Sequence, residues 1–387
     1  MSVNSITQNL TPYPMEELAK IKQNLKDSNK EIFDFGTGDP NIELWKEINK
    51  TIEESLGNVL SYPSIKGMPQ LHEAINDYLR RQLQLEVSEE LKVLPTNGSK
   101  EAIFHTALCL IGREKNRKYL VYPTPGYPVY RSSALFAGGT PYAVALNQQD
   151  DWLLKPWELP KQVQQQTAAL WINYPHNPTG ATAPKSYLEK VIKWCHDNNV
   201  ILLSDDCYFD IYDPNNEKPI CPLSISSKNV ISFMSLSKRS GFTGYRSGFM
   251  AGDGEIISQL TRARANFGCA TPNIIQAAAA KAWADDEHVS RRRQIFRQRI
   301  DYAAKELINI GLLKSKPKAA FYLWCTVPEY WQGKDIEFSL ELAKEGVITT
   351  PSSWLSEGTT GYVRFAMVPE LDKMASAFSI LKNFIKK

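Results

Sequence analysis

Short apolar runs alternate with longer amphipathic segments along most of the chain. Five of the apolar runs have the length and composition of buried β-strands: 119–122, 168–172, 200–203, 230–234 and 248–251. Amphipathic segments before and between them predict helices: 68–83, 100–111 and 185–198. Strands that alternate with helices build a largely parallel sheet, so the pattern predicts an α/β fold with a mostly parallel central sheet.

The pattern changes near residue 285. A long charged segment at 286–310 predicts a helix. Three later apolar runs predict the strands of a smaller α+β unit: 321–324, 346–349 and 362–366. We therefore expect two domains, a large one at 46–285 and a small one built from both chain ends, 1–45 and 286–387.

Composition narrows the possible functions. The 387 residues are 43% hydrophobic, which is enough for a large core, and carry a formal net charge of only +3. The longest basic run is three arginines at 291–293, which we interpret as a helix face, so we expect no nucleic-acid binding. Six cysteines lack Cys-x-x-Cys spacing and are expected to be reduced: Cys109, Cys195, Cys207, Cys221, Cys269 and Cys325.

Targeting segments are not evident. Residues 1–17 lack a basic start followed by an apolar stretch, as a secretory signal would have. No uncharged apolar run approaches the roughly 18 residues that a membrane span needs. We therefore expect a cytoplasmic protein.

The strongest chemical signal lies just after the 230–234 run, where residues 235–246 read SLSKRSGFTGYR. Lys238 can form an imine with the aldehyde of pyridoxal phosphate. Ser235, Ser237 and Arg246 can hold its phosphate through hydroxyls and a guanidinium fork. The alternative is a solvated lysine in a polar loop. The buried strand before it favours the first interpretation, because open α/β sheets bind ligands at the carboxyl ends of their strands.

A second phosphate-binding candidate is the glycine turn at 96–102, TNGSKEA, which opens a predicted helix. The backbone amides of Gly98, Ser99 and Lys100 would point at an anion with the helix dipole behind them. Helix capping alone is the alternative explanation of this turn.

Other loops after strands carry an aromatic ring, an amide and a carboxylate. Tyr127 can cover one face of a pyridine ring, although a packed loop tyrosine is an equal alternative. Asn177 can donate to a phenolic oxygen, and the adjacent His176 is interpreted as a loop residue. Asp205 can pair with a protonated ring nitrogen, the alternatives being an N-cap or a metal ligand.

Together these segments resemble the class I/II aminotransferases of the fold-type-I pyridoxal phosphate enzymes. The resemblance covers nearly the whole chain through an ordered set of motifs: GTGDP at 36–40, YPSIKG at 62–67, NPTG at 177–180, Asp205, Lys238 and YVR at 362–364. It implies pyridoxal 5'-phosphate as the cofactor and a homodimer as the assembly.

The resemblance also implies roles for single residues. Lys238 would be the imine lysine and proton shuttle, and Asp205 the partner of the ring nitrogen. Asn177 and Tyr208 would donate to the phenolic oxygen, and Tyr127 would stack on the ring.

The phosphate and the substrate have their own implied contacts. The phosphate would be held by Gly98, Ser99, Lys100, Ser235, Ser237, Arg246 and Tyr62, the last from a second subunit. Arg364 would clasp the substrate α-carboxylate, with Asn177 and the backbone of Gly38 beside it. The partner of a distal substrate carboxylate stays open between Arg239 and Lys66.

Three positions depart from the family pattern. Tyr174 stands where asparagine is more frequent, Asp206 replaces a glutamate, and His72 replaces an arginine. None of these changes removes a group with a chemical role, so they bear on substrate preference more than on reaction type.

Two short segments, GYRSGFMAGD at 244–253 and AWADDEH at 282–288, resemble the sequences of the N-succinyl-LL-diaminopimelate aminotransferases of lysine biosynthesis. We therefore expect that donor, with 2-oxoglutarate as the acceptor, in a two-half transamination. Aspartate, LL-diaminopimelate and aromatic amino acids are alternative donors, and a carbon–sulfur β-lyase is an alternative reaction. An aminotransferase-like regulator is disfavoured, because the roughly 30 residues before Phe33 leave no room for a helix-turn-helix.

Overall fold

The computed structural model describes residues 4–8, 14–40, 42–58, 61–111, 116–268 and 270–386. Its strands are β1 (Phe33–Asp34), β2 (Leu91–Thr96), β3 (Tyr119–Thr124), β4 (Thr140–Ala145), β5 (Thr167–Ile172), β6 (Ile201–Asp205), β7 (Val230–Ser235), β8 (Gly248–Asp253), β9 (Tyr322–Thr326), β10 (Val347–Ile348), β11 (Thr350–Pro351) and β12 (Tyr362–Ala366).

The α-helices alternate with these strands as the sequence predicts. They are α1 (Ser5–Gln8), α2 (Pro14–Asp27), α3 (Lys46–Glu54), α4 (Pro69–Leu83), α5 (Ser99–Leu110), α6 (Val129–Phe136), α7 (Lys161–Gln166), α8 (Lys185–Asp197), α9 (Leu236–Ser240), α10 (Gly254–Phe267), α11 (Asn273–Ala284), α12 (Glu287–Asn309), α13 (Asp335–Lys344) and α14 (Leu371–Phe384).

The central sheet has the strand order β2-β8-β7-β6-β5-β3-β4. Strands β4, β3, β5, β6 and β7 run parallel, whereas β8 is antiparallel to both of its neighbours. The predicted α/β fold with a mostly parallel sheet is confirmed. Because the parallel strands all end at one edge, the loops that follow them meet there.

Both faces of the sheet are covered by helices. Leu170 and Leu202 pack in one core with residues of α4, α8 and α11. Their chain neighbours Trp171 and Leu203 pack in another core with residues of α5, α6 and α10. Successive side chains of a strand point to opposite faces of the sheet, and here both faces are buried. This explains why the predicted strands are continuous apolar runs in the sequence.

Two strands of the sheet were not predicted. Both β2 and β4 contain a proline, Pro95 and Pro141 respectively, and such a residue argues against a central strand because it lacks a backbone donor. The structure places both strands at the edges of the sheet, where one side of the backbone needs no ladder partner.

The two ends of the chain pack together. Strand β1 pairs in parallel with β10, and β9, β12 and β11 form a separate antiparallel sheet. Phe35 lies in one buried cluster with Phe365 and Phe378 from the C-terminal part of the chain. The boundaries 1–45, 46–285 and 286–387 stay a prediction that this packing supports.

The arginines at 291–293 lie in α12, but they do not form a uniformly solvated face. Arg292 is buried, and in the described part of the chain its guanidinium nitrogens have no hydrogen-bond partner. The described cysteines are free thiols, while Cys269 lies outside the described residues. Among the described helices, none has the length and apolar character needed to cross a membrane.

Candidate active site

The loops at the carboxyl edge of the sheet bring the sequence-predicted residues together. Tyr127 follows β3, Asn177 follows β5, Asp205 ends β6 and Lys238 follows β7. Each of these strands delivers one polar or aromatic side chain to the same edge, which is the usual ligand-binding position of an open α/β sheet.

Lys238 lies on the short helix α9. The Ser235 hydroxyl caps this helix by accepting a hydrogen bond from the Ser237 amide at 3.1 Å. The half-buried Lys238 Nζ donates to the carbonyl oxygen of Gly38 and lies 5.7 Å from the centre of the Phe321 ring. This amine is therefore held at the point where the N-terminal segment, the large sheet and the C-terminal part of the chain meet.

The predicted phosphate residues form a cradle at the start of α5. Gly98 has a φ of +77°, and a Cβ on it would lie 2.6 Å from Nη2 of Arg246. Arg246 Nη1 also donates to the Ser237 hydroxyl at 3.3 Å. Ser99 begins the helix, so its amide and its neighbours lie at the positive end of the dipole. A glycine, hydroxyls and a guanidinium at a helix N-terminus suit a phosphate dianion.

Asp205 lies buried at the end of β6. Its Oδ2 accepts a hydrogen bond from the Tyr130 hydroxyl at 2.7 Å, and its Oδ1 accepts from the Cys207 amide at 3.3 Å. Burial raises the pKa of this carboxyl, while the hydrogen bonds and the Lys238 charge act in the opposite direction. Within the described residues it forms no ion pair, so a protonated ring nitrogen would supply the missing positive charge.

Arg364 lies buried on β12. Its Nη1 donates to Asn177 Oδ1 at 2.9 Å and its Nη2 donates to the Gly36 carbonyl at 2.9 Å. The guanidinium lies 4.5 Å from the centre of the Tyr322 ring, and Nε has no hydrogen-bond partner among the described residues. A buried guanidinium with an unused donor suits a carboxylate ligand.

Tyr322 is a site residue that the sequence analysis missed. Its hydroxyl lies 2.9 Å from the hydroxyl of Tyr208, which is predicted to contact the cofactor. Its ring lies against the guanidinium of Arg364, which is predicted to bind the substrate. Tyr322 therefore contacts both residues. Burial and the neighbouring Tyr322 raise the pKa of Tyr208. In the sequence, Tyr322 belongs to an apolar strand and reads as a core residue, so no local signal marks it.

Arg239 was one of two candidates for binding a distal substrate carboxylate. It is buried, its Nε donates to Asp210 at 3.0 Å, its Nη2 donates to Asp286 at 2.6 Å, and its Nη1 donates to the Ala282 carbonyl at 2.7 Å. Each of its guanidinium nitrogens is thus engaged in the fold. We therefore discard it as the partner of a distal substrate carboxylate.

The remaining candidates take different positions. His176 is buried between Thr179 and the Pro125 carbonyl, and burial lowers its pKa to about 3, which fits a neutral loop residue. Tyr62 is fully exposed, as a side chain that reaches a second subunit would be. Tyr174 donates to the Trp152 carbonyl at 2.8 Å and is a packing residue.

These residues fit pyridoxal phosphate in each of its parts. The cradle at Gly98 suits the phosphate, Asp205 the ring nitrogen, Lys238 the aldehyde and Arg364 a substrate carboxylate. In the described ranges, no three or more His, Cys, Asp or Glu side chains come together as a group that could hold a metal ion.

Comparison with known proteins agrees with this geometry. A family model described as aminotransferase class I and II matches residues 30–378. The LL-diaminopimelate aminotransferase of Aquifex aeolicus is 32% identical over 379 residues, which cover 97% of each chain. That of Syntrophobacter fumaroxidans is 30% identical over 379 residues, covering 97% of this chain and 96% of its own.

Solved structures show the same architecture. An aminotransferase from Neisseria meningitidis superposes with a TM-score of 0.89 at 27% identity, covering 98% of this chain and 99% of that one. The carboxyl-edge site and these matches agree with the resemblance stated from the motifs. The chain therefore belongs to the class I and II aminotransferases, and it is a pyridoxal-phosphate-dependent transaminase of amino acid and keto acid substrates.

Proposed function

We propose that this aminotransferase moves an amino group between LL-diaminopimelate and 2-oxoglutarate. The two relatives described above, which are 32% and 30% identical over nearly the whole chain, are named LL-diaminopimelate aminotransferases. These names favour the donor that the sequence analysis held as an alternative over its first choice, the N-succinyl form. Aspartate and aromatic donors become less favoured for the same reason.

The arrangement around Arg364 carries the proposal. A buried guanidinium with a free Nε–H lies beside Asn177, in the cleft that also holds the Lys238 amine. A carboxylate bound there is fixed relative to the amine, and this fixes the α-carbon of the same substrate. The geometry thus selects α-amino acids and α-keto acids over simple amines.

When bound, pyridoxal phosphate supplies an aldehyde that accepts the amino group and a ring that withdraws electrons. The Lys238 Nζ would hold the aldehyde carbon of the bound cofactor, and as a free amine it would act as the base that moves the α-proton of the donor. Asp205 would hold the ring nitrogen in its protonated form, which increases the electron demand of the ring. Asn177 and Tyr208 would donate to the phenolic oxygen, and Tyr127 would cover one ring face.

The phosphate is held in this proposal by Gly98, Ser99, Lys100, Ser235, Ser237 and Arg246. Tyr62 completes the cradle from the second subunit of a homodimer, which accounts for its full exposure in a single chain. Gly38 contributes through its carbonyl, which contacts Lys238 Nζ and lies next to the substrate space.

The test uses the cofactor-loaded enzyme without keto acid. LL-diaminopimelate should rapidly bleach the visible cofactor band, and 2-oxoglutarate should restore it. N-succinyl-LL-diaminopimelate should bleach it at least tenfold more slowly. Faster bleaching by the N-succinyl donor would return the assignment to that donor, and bleaching by aspartate alone would remove diaminopimelate from the proposal.

A separate variant tests the role of Lys238. Lys238→Ala should lose multiple turnover while it still binds pyridoxal phosphate through the cradle residues. Dialysis against the cofactor followed by its absorbance measures that binding. Turnover near the wild-type rate in this variant would contradict the role proposed for the amine.

A further inference from the structure

A cavity of about 1270 Å³ lies between the loops of the large sheet and the segment 353–357. Tyr127, Lys100 and Arg246 line part of it, so it continues from the proposed cofactor site. Apolar side chains of the same cavity include Val129, Leu340 and Trp354. The cavity therefore offers space and apolar surface for the side chain of a bound donor.

Among the described residues, the charged side chains that line this cavity are Lys100, Glu101, His105, Arg131, Arg246 and Glu357. Lys100 and Arg246 belong to the phosphate cradle. Glu101 is paired with the buried Arg264 at 3.1 Å, and burial lowers the pKa of His105, which keeps it neutral. Arg131 and Glu357 remain as the pair of opposite charges that neither the cofactor nor the core uses.

This pair bridges two parts of the fold. Arg131 Nε on α6 lies 2.7 Å from Glu357 Oε1, and the same oxygen accepts from the Tyr122 hydroxyl at 3.1 Å. The two side chains are 35% and 56% exposed. Water screens an ion pair that is this exposed, so it contributes little to folding and each partner can take a ligand charge at small cost.

The spacing suits a donor that carries an amino acid group at both ends. Tyr127 lies in the loop just before α6, and Arg131 lies in the first turn of that helix. The four C–C bonds between the two α-carbons of diaminopimelate span roughly 5 Å when extended. Because Tyr127 and Arg131 line the same cavity, a donor whose reacting carbon lies near Tyr127 can extend its second amino acid group towards Arg131.

One stretch of chain connects the two ends of such a donor. Thr350 is the strand partner of Arg364, and the chain continues from it to Glu357. The amide of Gly126 donates to the Leu355 carbonyl at 2.8 Å, which fixes this segment against the loop that carries Tyr127. The segment that pairs with the strand of Arg364 thus also carries Glu357, and it is fixed against the loop just before the helix of Arg131.

We propose that Arg131 and Glu357 determine specificity for the distal end of LL-diaminopimelate. Arg131 binds the distal carboxylate and Glu357 binds the distal ammonium, so that the ligand zwitterion replaces the ion pair charge for charge. This inference rests on the proposed function, because only a donor with a second amino acid group presents both charges.

Two donor analogues separate the two contacts. L-lysine is LL-diaminopimelate without its distal carboxylate, and L-2-aminopimelate is the same molecule without its distal amine. For each donor, kcat/KM of the amino-transfer half-reaction would be measured in the wild type, Arg131→Met, Glu357→Gln and the control Glu341→Gln. Glu341 forms an exposed pair with Lys344 at 2.6 Å on α13.

In Arg131→Met the preference for LL-diaminopimelate over lysine should fall about 10- to 100-fold, the effect of one hydrogen bond to a charged group. In Glu357→Gln the preference over 2-aminopimelate should fall by a similar factor. Most of either loss should lie in KM, because the contact is remote from the reacting bonds. Glu341→Gln should keep both preferences.

The outcomes separate this inference from the proposed function. A wild type that uses LL-diaminopimelate no better than either analogue overturns the proposed function. If the wild type prefers LL-diaminopimelate to both analogues but the variants lose activity equally for all three donors, only the inference is overturned. The Arg131–Glu357 pair would then be a contact between two parts of the fold. Thermal midpoints near that of the wild type confirm that the variants are folded.

Discussion

The Tyr130 hydroxyl donates to Asp205 at 2.7 Å, and this bond favours the ionised carboxylate. In Tyr130→Phe the pKa of Asp205 should rise. Burial raises this pKa, and the variant lacks one of the hydrogen bonds that lower it. Asp205 would become protonated at a higher pH than in the wild type, so the acidic limb of the kcat profile should move to higher pH. At neutral pH, kcat should be about 10-fold lower.

A tyrosine outside the cleft serves as the control. The Tyr187 hydroxyl donates to the Leu154 carbonyl at 2.7 Å, and Tyr187→Phe should leave the acidic limb where it is. An unchanged pH profile in Tyr130→Phe would show that its hydroxyl does not tune the carboxylate.

Gly98 allows a test of the phosphate cradle that does not depend on activity. Gly98→Ala places a methyl group 2.6 Å from Arg246 Nη2 at a φ of +77°. Affinity of the apoprotein for pyridoxal phosphate, measured by absorbance titration, should fall at least about 10-fold. Gly138 has the same φ, and no atom of the described residues lies within 4 Å of an added Cβ, so Gly138→Ala carries the backbone strain without the contact. Equal affinities in the two variants would rule out the cradle.

Three residues that the sequence analysis singled out, Lys238, Asp205 and Asn177, lie together at the carboxyl edge of the sheet. They are polar groups at or just after the end of apolar runs, where a motif can be recognised. Tyr322 and Tyr130 were missed because their polar hydroxyls belong to side chains that otherwise read as core. Their roles depend on partners more than 70 positions away in sequence, which no local pattern encodes.

At the scale of elements, α9 is held by the residue next to its functional lysine. Arg239 pairs with the buried Asp210 and stacks near Tyr78 and Trp283, at 5.1 and 5.2 Å from the ring centres. Arg239→Met would leave Asp210 buried without its cation, and the free energy of unfolding in urea should fall by about 3–5 kcal/mol.

The control for this prediction is an exposed pair. Lys193 and Asp197 lie 2.8 Å apart on α8 with both side chains more than half exposed, so Lys193→Met should cost no more than about 0.5 kcal/mol. Equal losses in the two variants would show that the buried network does not stabilise α9.

Strand prediction succeeded inside the sheet and failed at its margins. The five predicted strands lie between β2 and β4 in the sheet order, where burial on both faces favours apolar residues at most positions. The edge strands have fewer constraints and tolerate Pro95 and Pro141. The sequence thus predicts the parallel layers but not where the sheet stops.

For the whole molecule, two buried histidines predict sensitivity to acid. Burial lowers the pKa of His176 to about 3 and that of His288 to about 4. An unfolded histidine has a pKa of about 6.5, so below that pH the unfolded state binds more protons and stability falls. His288 alone should cost roughly 3 kcal/mol by pH 4.

Unfolding free energies measured from pH 7 to pH 4 test this expectation. His288→Gln should show a shallower decline than the wild type. If the unfolding free energy of His288→Gln falls with pH as steeply as that of the wild type, this histidine does not cause the acid sensitivity.

The pairing of β1 with β10 has a consequence for how the enzyme is made. Gly36 accepts from Arg364, and Gly38 accepts from Lys238, so the first cleft residues to be synthesised need partners that emerge hundreds of residues later. On the ribosome, the large sheet can form while the N-terminal segment has no place to dock. The nascent chain can therefore assemble its phosphate cradle early, but it gains a substrate site only after release of its C-terminal strands.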